Sequence, residues 1–305
     1  MLELKTPDIS DRDAVCALLR QGAHIASDSA FANIFLLRHK YHTLMGIRDG
    51  FLFRYYGGTG SRRGYAFPIG RGNCKRALQL IADDARESGR ALEFCLVTDS
   101  QQAALRDFFG KDRLTVTPHR SDADYVYSAE QLATLAGQKM QKKRNHCSRF
   151  QRTYENIELR SLDAANFSDA MAVADKWLEG NNYEWAEGEH AAIAEALCCF
   201  DVLGLSGDML YADGQPAAMT IATEILPDVC DILYEKAIDE YAENGAYAAV
   251  NRLFAETLAQ RACLINREED MGVPNLRKSK LSYHPLFLIE KSHVSVKAPR
   301  PLYKF

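Results

Sequence analysis

Residues 264–285 read LINREEDMGVPNLRKSKLSYHP. The short apolar run 262–265 that leads into them predicts a buried strand ending at Asn266. Acidic, basic and amide side chains follow directly, and Gly272 and Pro274 then predict a turn. Strand ends that release polar groups into such a turn are where α/β folds usually place ligands. We therefore expect a functional site here, with a charged surface turn held by its own ion pairs as the alternative.

Length and composition set the frame for this site. At 305 residues the chain exceeds one typical core, which predicts two domains of about 150 residues. A hydrophobic content of 47% with 26% charged residues is typical of a globular protein in water. The net charge of −4 gives no global signature of nucleic-acid binding, so any such contact must come from a local patch.

Targeting signals and cysteines narrow the class further. No run of eighteen apolar residues occurs, which predicts no transmembrane helix, and the polar, acidic start predicts no secretory signal. The eight cysteines form no C-x-x-C pair, so we expect neither structural zinc nor a disulfide framework. The expected location is the cytoplasm, and peripheral contact with a membrane is left open.

The first half alternates helices and strands. We predict helices over 10–21, 73–88 and 101–109, a buried element over 30–41 and a strand over 92–98. The segments 51–56 and 65–69 flank GGTGSRRG and predict a hairpin. These glycines could also be read as a phosphate cradle, but their spacing fails the dinucleotide fingerprint and a strand follows where a helix is required.

The segment from Gln131 to Tyr154 contains no acidic residue. Its apolar residues fall roughly on one helical stripe, which predicts a helix with a thin buried seam. The positive charges are either a solvated face or a binding site for phosphates of a nucleotide cofactor, a tRNA or a lipid headgroup. They are Lys139, Lys142, Lys143, Arg144, Arg149 and Arg152.

The second half repeats the layered pattern. Asp213-Gly214 between two apolar runs predicts a hairpin. Further strands are predicted over 229–237, 263–265 and 281–290, with a crossover helix over 247–261. The whole pattern indicates an α/β or α+β layer architecture.

Three segments together resemble the phosphatidylglycerol lysyltransferase C-terminal domain family. They are LAGQKMQKKRNHCSRF, LYEKAIDEY and NREEDMGVPNLRKSKLSYHP. That family is similar to the Fem-type aminoacyltransferases. The resemblance implies an α+β fold of two tandem GNAT-like (acyl-CoA N-acyltransferase-like) domains, each a mixed, mostly antiparallel sheet flanked by helices. It divides the chain into an N-terminal domain 1–137, a basic connecting helix 138–156 and a C-terminal domain 157–305.

The resemblance also implies acyl transfer to an amine or hydroxyl, without a metal. The donor is an aminoacyl-tRNA in lysyltransferase relatives and a CoA thioester in the wider GNAT superfamily, and the acceptor is a lipid or a small molecule. Two alternatives stay open, an acyl-CoA-dependent N-acyltransferase and a non-catalytic anion-binding module. Standard CoA binding is opposed by the acids Asp239, Glu240 and Glu243, which precede the turn where the pyrophosphate would lie.

Site residues follow from the matching segments. The catalytic set is Glu268, Asp270, Lys280 and Tyr283. The two carboxylates would hold an ammonium group or accept a proton, Lys280 would face a phosphate or oxyanion, and Tyr283 would protonate a leaving group. Their alternatives are a surface position for Lys280, packing for Tyr283, and, for the carboxylates, ion pairs with Arg267, Arg277 or Lys278.

The donor-binding set is Lys139, Lys143, Arg144, Asn145 and Asn266. Of these, Lys143 and Arg144 are the expected phosphate contacts. Asn266 could instead satisfy the backbone of the turn.

Overall fold

The computed structural model describes residues 1–22, 24–181 and 183–297, and the chain forms two compact units. The first unit comprises Met1–His24, Leu37–Ala123 and the segment that starts at Ile289. The second comprises Ile25–Leu36 and Asp124–Leu288. Each unit therefore combines segments that are distant in sequence.

The first unit contains a seven-stranded sheet in the order β1-β2-β3-β5-β14-β6, with β4 paired to β2. Among the registered pairs of the described residues, β3 and β5 are parallel and the others are antiparallel. Its helices bury one apolar face each against this sheet. The elements are α1 (Arg12–Gly22), β1 (Thr43–Arg48), β2 (Phe51–Tyr56), β3 (Gly64–Tyr65), β4 (Ile69–Gly70), α3 (Cys74–Glu87), β5 (Glu93–Val97), α4 (Asp99–Phe109), β6 (Leu114–Pro118) and β14 (Ser292–Val296).

The second unit contains a seven-stranded sheet in the order β13-β7-β12-β11-β10-β9-β8. The strands β11 and β12 pair in parallel, and the other registered pairs are antiparallel. The strands are β7 (Asp124–Ser128), β8 (Ile157–Ser161), β9 (Ser206–Ala212), β10 (Gln215–Leu226), β11 (Asp228–Ala237), β12 (Ala262–Asn266) and β13 (Phe287–Ile289). The helices are α2 (Phe31–Leu36), α5 (Ala129–Thr134), α6 (Gln141–Thr153), α7 (Phe167–Glu179), α8 (Ala186–Cys198), α9 (Phe200–Leu203), α10 (Asp239–Glu243), α11 (Ala246–Leu258) and α12 (Pro274–Leu281).

Both predicted hairpins are confirmed. β9 and β10 join at Asp213 and Gly214, whose φ angles of 50° and 78° are those that a tight two-residue turn requires. β2 pairs with β3 across the glycine-rich link, so that link is a strand connection. The prediction of an α+β fold with two mixed, mostly antiparallel sheets is also confirmed.

The compact units differ from the predicted division into 1–137, 138–156 and 157–305. Strand β7 belongs to the second unit because it pairs with β12, and α6 lies within that unit too. Strand β14, near the end of the chain, belongs to the first unit because it pairs with both β5 and β6. Pairing partners far apart in sequence set these boundaries.

The strand predicted over 281–290 is wrong for most of its length. Residues 274–281 form α12, a turn follows, and only Phe287–Ile289 is extended. Pro274 occupies the first turn of α12, where its missing N–H costs nothing and its fixed φ favours the helix. The proline therefore starts an element and does not merely end one. Lys280 consequently lies on a helix, and Tyr283 follows the helix instead of lying in a strand.

Candidate active site

The candidate site lies where two parallel strands of the second unit separate. β11 and β12 pair from Asp228 to Asp231, opposite Ala262 to Asn266, with a register shift between Asp228 and Val229. β12 then ends, whereas β11 continues to Ala237. The register between β11 and β10 shifts at Ile221 and Ala222 of β10. A shift of this kind re-aims the side chains that follow. The end of β11 and the turn after β12 therefore flank an opening, which we call the β11–β12 opening.

Asn266 anchors the turn and is fully buried. Its amide nitrogen donates to the Ile25 carbonyl at 3.0 Å and to Asp124 at 3.2 Å, and its oxygen accepts from the Glu268 N–H at 2.8 Å. Asp124 in turn accepts from the Ser27 N–H at 2.8 Å. Every part of the Asn266 amide is thus used within the protein, which favours the alternative that it supports the turn.

Asp270 is clamped in the same turn. Arg277 donates to both carboxylate oxygens of Asp270 at 2.8 Å. The Tyr125 hydroxyl donates to the same carboxylate at 2.6 Å, and the Gly272 N–H donates to it at 2.9 Å. Burial alone would raise the pKa of Asp270, but hydrogen bonds from Arg277, Tyr125 and Gly272 outweigh burial and lower this pKa to about 2. A carboxylate that is this acidic and this well bonded is a poor proton acceptor. The geometry therefore favours the ion-pair alternative for Asp270.

Lys280 reaches back from α12 to the same turn. Its ammonium donates to the carbonyls of Arg267 and Glu269, the latter at 2.6 Å. Burial lowers the pKa of Lys280, and Arg267 adds to that effect, while Glu268 and Glu269 oppose it. Its backbone carbonyl accepts from the Tyr127 hydroxyl at 2.7 Å. Lys280 thus holds the shape of the turn, which is a positioning role.

Glu268 has an unusual backbone at the tip of this framework. Its φ is 53°, in the left-handed region that residues with a Cβ rarely adopt. Its carboxylate accepts from the Asn33 side chain of α2 at 2.6 Å. The strained backbone persists because the turn on either side is fixed by Asn266 and Asp270.

Arg267 bridges the opening. Its guanidinium donates to Glu235 of β11 at 2.8 Å, and Asn251 of α11 donates to the other Glu235 oxygen at 2.8 Å. The Arg267 side chain is 11% exposed. Its Nη1 nitrogen is buried and has no hydrogen-bond partner in the part of the chain that the structure describes. This N–H donor group makes no hydrogen bond of good geometry, and the Tyr283 hydroxyl is the side-chain group that interacts with the guanidinium beside Glu235.

Tyr283 receives two cations on its ring. The Lys143 ammonium lies 3.7 Å from the ring centroid and the Arg267 guanidinium 4.8 Å. Burial raises the pKa of the Tyr283 hydroxyl above its usual range, so it stays protonated. Burial is the main effect that lowers the pKa of Lys143 to about 8, and the nearby Arg267 charge lowers it further. Glu235 and Cys147 partly oppose this shift. Lys143 can therefore shed its proton slightly above neutral pH.

The remaining donor-binding candidates do not join this cluster. Arg144 donates to the carbonyls of Leu135 and Gly137 and to the Gln141 side chain, so its guanidinium fastens the start of α6. Lys139 and Asn145 are exposed on α6 and its preceding turn. The structure thus brings together Asn266, Glu268, Asp270, Lys280, Tyr283 and Lys143, and leaves Arg144, Lys139 and Asn145 apart.

Several residues of the site have little or no signal in the sequence. Arg267 lies inside the quoted stretch, where the pattern indicates only a partner for the acids. Glu235 lies in an apolar strand, and the one signal for it was a carboxylate followed by a lysine in LYEKA. Tyr125, Tyr127 and Asn33 come from elements far away in sequence, and no local pattern relates them to the turn.

Two further properties concern the described residues 1–22, 24–181 and 183–297. Within these ranges no group of three or more His, Cys, Asp or Glu side chains could hold a metal ion. No helix in this part of the chain is long and apolar enough to cross a bilayer.

Comparisons with known proteins identify the family of this chain. The family model described as phosphatidylglycerol lysyltransferase, C-terminal, matches residues 19–294. A conserved protein of unknown function from Bacteroides thetaiotaomicron is 32% identical, with a TM-score of 0.90 over 97% of this chain and 100% of that chain. An uncharacterised protein of Mycoplasmoides gallisepticum is 26% identical over 180 residues. That match spans 58% of each chain, so it covers less than two thirds of the curated relative.

More distant structures share the fold. L-PGS from Bacillus licheniformis has a TM-score of 0.66 at 13% identity, over 97% of this chain and 94% of that chain. FemX has a TM-score of 0.59 at 8% identity, over 97% of each chain. A tandem GNAT protein of clavulanic acid biosynthesis has a TM-score of 0.50 at 10% identity, over 98% and 99%. The fold is therefore the tandem GNAT-like fold that the resemblance implied, and the chain belongs to the phosphatidylglycerol lysyltransferase C-terminal family.

Proposed function

We propose that this chain transfers an aminoacyl group from an aminoacyl-tRNA to an amine or hydroxyl acceptor of a lipid or another cell-envelope component. The observation that carries the proposal is the cluster at the β11–β12 opening. It combines a lysine whose pKa is about 8, a protonated tyrosine and a guanidinium with an N–H that makes no hydrogen bond of good geometry. Acyl transfer needs a proton acceptor and donors for the oxyanion, and these groups supply both.

The proposed chemistry uses no covalent enzyme intermediate. The acceptor attacks the ester carbonyl of the donor, and Arg267 and Tyr283 donate hydrogen bonds to the oxyanion that forms. Lys143 takes the acceptor's proton as the new bond forms. When the ester C–O bond breaks, the lysine ammonium returns that proton to the released ribose oxygen. The turn carrying Arg267 is held still by Asp270 and Lys280, which act as positioning residues.

The charge of α6 supports a tRNA as donor. Segment 131–154 is free of acidic residues, and Lys139, Lys142 and Arg152 are exposed along it. Such a concentration of positive charge in a net-acidic chain attracts an anionic ligand to one place.

The loop before α11 gives less support to a CoA donor. Asp239, Glu240 and Glu243 precede it, and these acids would repel a pyrophosphate. Its Gly245 packs against α6 so closely that a Cβ there would lie 2.4 Å from the His146 carbonyl oxygen. An acyl-CoA-dependent transfer is therefore the alternative that the same experiment tests.

The proposal is tested by offering the full chain both donor classes. Thermal unfolding is followed during titration with CoA, acetyl-CoA, uncharged tRNA and aminoacyl-tRNA, because a ligand of the native state raises the melting temperature by mass action. Transfer of a labelled aminoacyl group is then measured with amine, alcohol and lipid acceptors. We expect aminoacyl-tRNA to act at the lowest concentration and to support turnover. A shift and turnover with acetyl-CoA alone would establish the alternative donor, and binding without turnover for any donor would indicate a non-catalytic anion-binding module.

A further inference from the structure

A second polar cluster lies on the other face of β11. Lys236 follows Glu235 directly, and consecutive residues of a strand point to opposite faces. Its ammonium pairs with Glu189 of α8 at 3.0 Å and lies 3.7 Å from the ring centroid of Trp177 of α7. The Lys236 side chain is only 9% exposed. A buried ion pair capped by an indole is thus one residue away from the β11–β12 opening.

Glu189 is only half satisfied in this cluster. Its Oε1 pairs with Lys236, whereas its Oε2 is buried and accepts no hydrogen bond from any residue in the described ranges. A buried carboxylate oxygen without a donor is unfavourable, and a ligand that supplies an N–H removes that cost. The orphaned oxygen therefore points to a ligand that carries a hydrogen-bond donor.

Aromatic rings extend this cluster to the protein surface. The ring centroid of Trp185, just before α8, lies 6.2 Å from that of Trp177. Tyr183 stacks on Trp185, with 4.9 Å between the ring centroids and 5° between the ring planes. Tyr183 is 44% exposed, so the stack reaches solvent. Aromatic faces attract cations and also pack against alkyl chains.

Apart from Lys236 itself, the helices around the cluster carry mostly negative charge. The segment from α7 through α8 contains a single lysine, Lys176, which pairs with Glu179 at 2.8 Å. His190, the one histidine of that segment, faces Asp175 at 2.6 Å. The carboxylates of the same segment are Asp169, Asp175, Glu179, Glu184, Glu187, Glu189 and Glu195. A phosphate group would meet acids here, whereas α6 offers it positive charge elsewhere in the same unit.

We propose that Glu189, Trp177, Trp185 and Tyr183 form the acceptor subsite and that the acceptor is a primary alkylamine, not the hydroxyl of an anionic lipid. The inference rests on the proposed transfer and names its acceptor class. The amine donates to Glu189 Oε2, and its alkyl chain packs on the aromatic stack. It binds as an ammonium, loses one proton to water and attacks the donor ester. The amide bond forms, the ester C–O bond breaks, and the second proton passes to the released ribose oxygen.

The two tryptophans make this subsite visible in solution. The chain contains only Trp177 and Trp185, so intrinsic tryptophan fluorescence reports on this cluster alone. The full chain is titrated with n-butylamine, with 1-butanol and with phosphatidylglycerol vesicles, without any acyl donor. We expect a saturable fluorescence change with the amine only. Glu189→Gln should weaken amine binding at least tenfold. Glu187→Gln, on an exposed position of the same helix turn, should bind like the wild type.

Three outcomes would overturn the inference. They are equal responses to the amine and the alcohol, saturation by vesicles alone, and unchanged amine affinity in Glu189→Gln. Near-ultraviolet circular dichroism verifies that this variant is folded, and Trp185→Phe gives a second test because it should also weaken amine binding. Amine binding in this donor-free titration, together with no transfer when aminoacyl-tRNA or acetyl-CoA is supplied, would refute the proposed function and leave the amine site standing. Transfer to a lipid hydroxyl without amine binding would refute the subsite alone.

Discussion

At the scale of single residues, Lys143 has the most informative environment. It lies on a basic helix, yet its ammonium lies against the Tyr283 ring, and in the described ranges no carboxylate forms an ion pair with it. The charged groups around it are Arg267 and Glu235, with Cys147 on its own helix. Burial and Arg267 favour the neutral amine over the ammonium. A proton acceptor is thus present although the carboxylates of the turn are engaged elsewhere.

Lys143→Arg should separate charge from proton transfer. With a pKa of about 8, the fraction of neutral lysine rises with pH through that value, so the transfer rate of the wild type should rise with a midpoint near pH 8. Arginine keeps the positive charge but does not lose its proton. We expect the variant to lose this pH-dependent rise and about 100-fold or more of the rate, with donor affinity nearly unchanged. A variant profile that keeps the midpoint would assign the proton to another group.

Arg277→Met should destabilise the fold through Asp270. The Asp270 pKa of about 2 lies below its ordinary 3.8, so the carboxylate adds stability above pH 3.8 that is lost as the pH falls from 4 to 2. The corresponding free energy is about 2 kcal/mol, reduced by the partial exposure of Arg277. Denaturant unfolding at pH 7 should show a loss of about 1–2 kcal/mol, and a flatter pH dependence below pH 4. Lys278→Met removes the same charge from an exposed neighbour and should change little.

The sequence could identify the site but not the roles within it. The quoted stretch contains Arg267, Glu268, Asp270 and Lys280, and its position after a buried strand was enough to mark it. Nothing in the local pattern says that Asp270 faces Arg277 while Arg267 faces Glu235. That division depends on Tyr125 and on the separation of β11 from β12, which are tertiary features.

At the scale of elements, α6 combines two kinds of positive charge. Cys147 and Phe150 bury its apolar seam, as the stripe predicted. Arg144 and Arg149 donate to backbone carbonyls, Arg149 to that of Glu243 at 3.0 Å. Lys142 and Arg152 point to solvent. The charge run was evident from composition, but the part of it that is available to a ligand was not.

Lys142→Ala and Arg144→Ala should therefore behave differently. Removing the exposed lysine should weaken aminoacyl-tRNA binding and reduce the slope of log affinity against log salt concentration by about one. Removing Arg144 should act mainly on stability, because the carbonyls of Leu135 and Gly137 lose their donor. Filter binding across a salt series and thermal unfolding distinguish the two effects. An equal loss of salt slope in both variants would place Arg144 at the donor after all.

At the scale of the whole molecule, the hydrophobic patterns revealed the fold class but not the pairing of distant strands. Period-two runs identified most strands, and turn residues identified two hairpins. A strand's period says which residues are buried, not which neighbour it will pair with. β14 illustrates this, since it lies near the end of the chain and yet pairs between β5 and β6 of the first unit. Family resemblance supplied the tandem fold that local patterns could not.

Val294→Asp tests this interleaving. Val294 is fully buried in β14, opposite Phe94 of β5 and Val116 of β6. A carboxylate there has no partner, so the first unit should lose roughly 3 kcal/mol or more of stability. Hydrogen exchange should show lost protection in β5 and β6, while β9, β10 and β11 of the second unit stay protected. Lys297→Asp, just beyond the strand and exposed, is the matched control and should leave both patterns unchanged. If the loss of protection instead appeared in the second unit, where the sequence division 157–305 would place β14, the assignment of this strand to the first unit would fail.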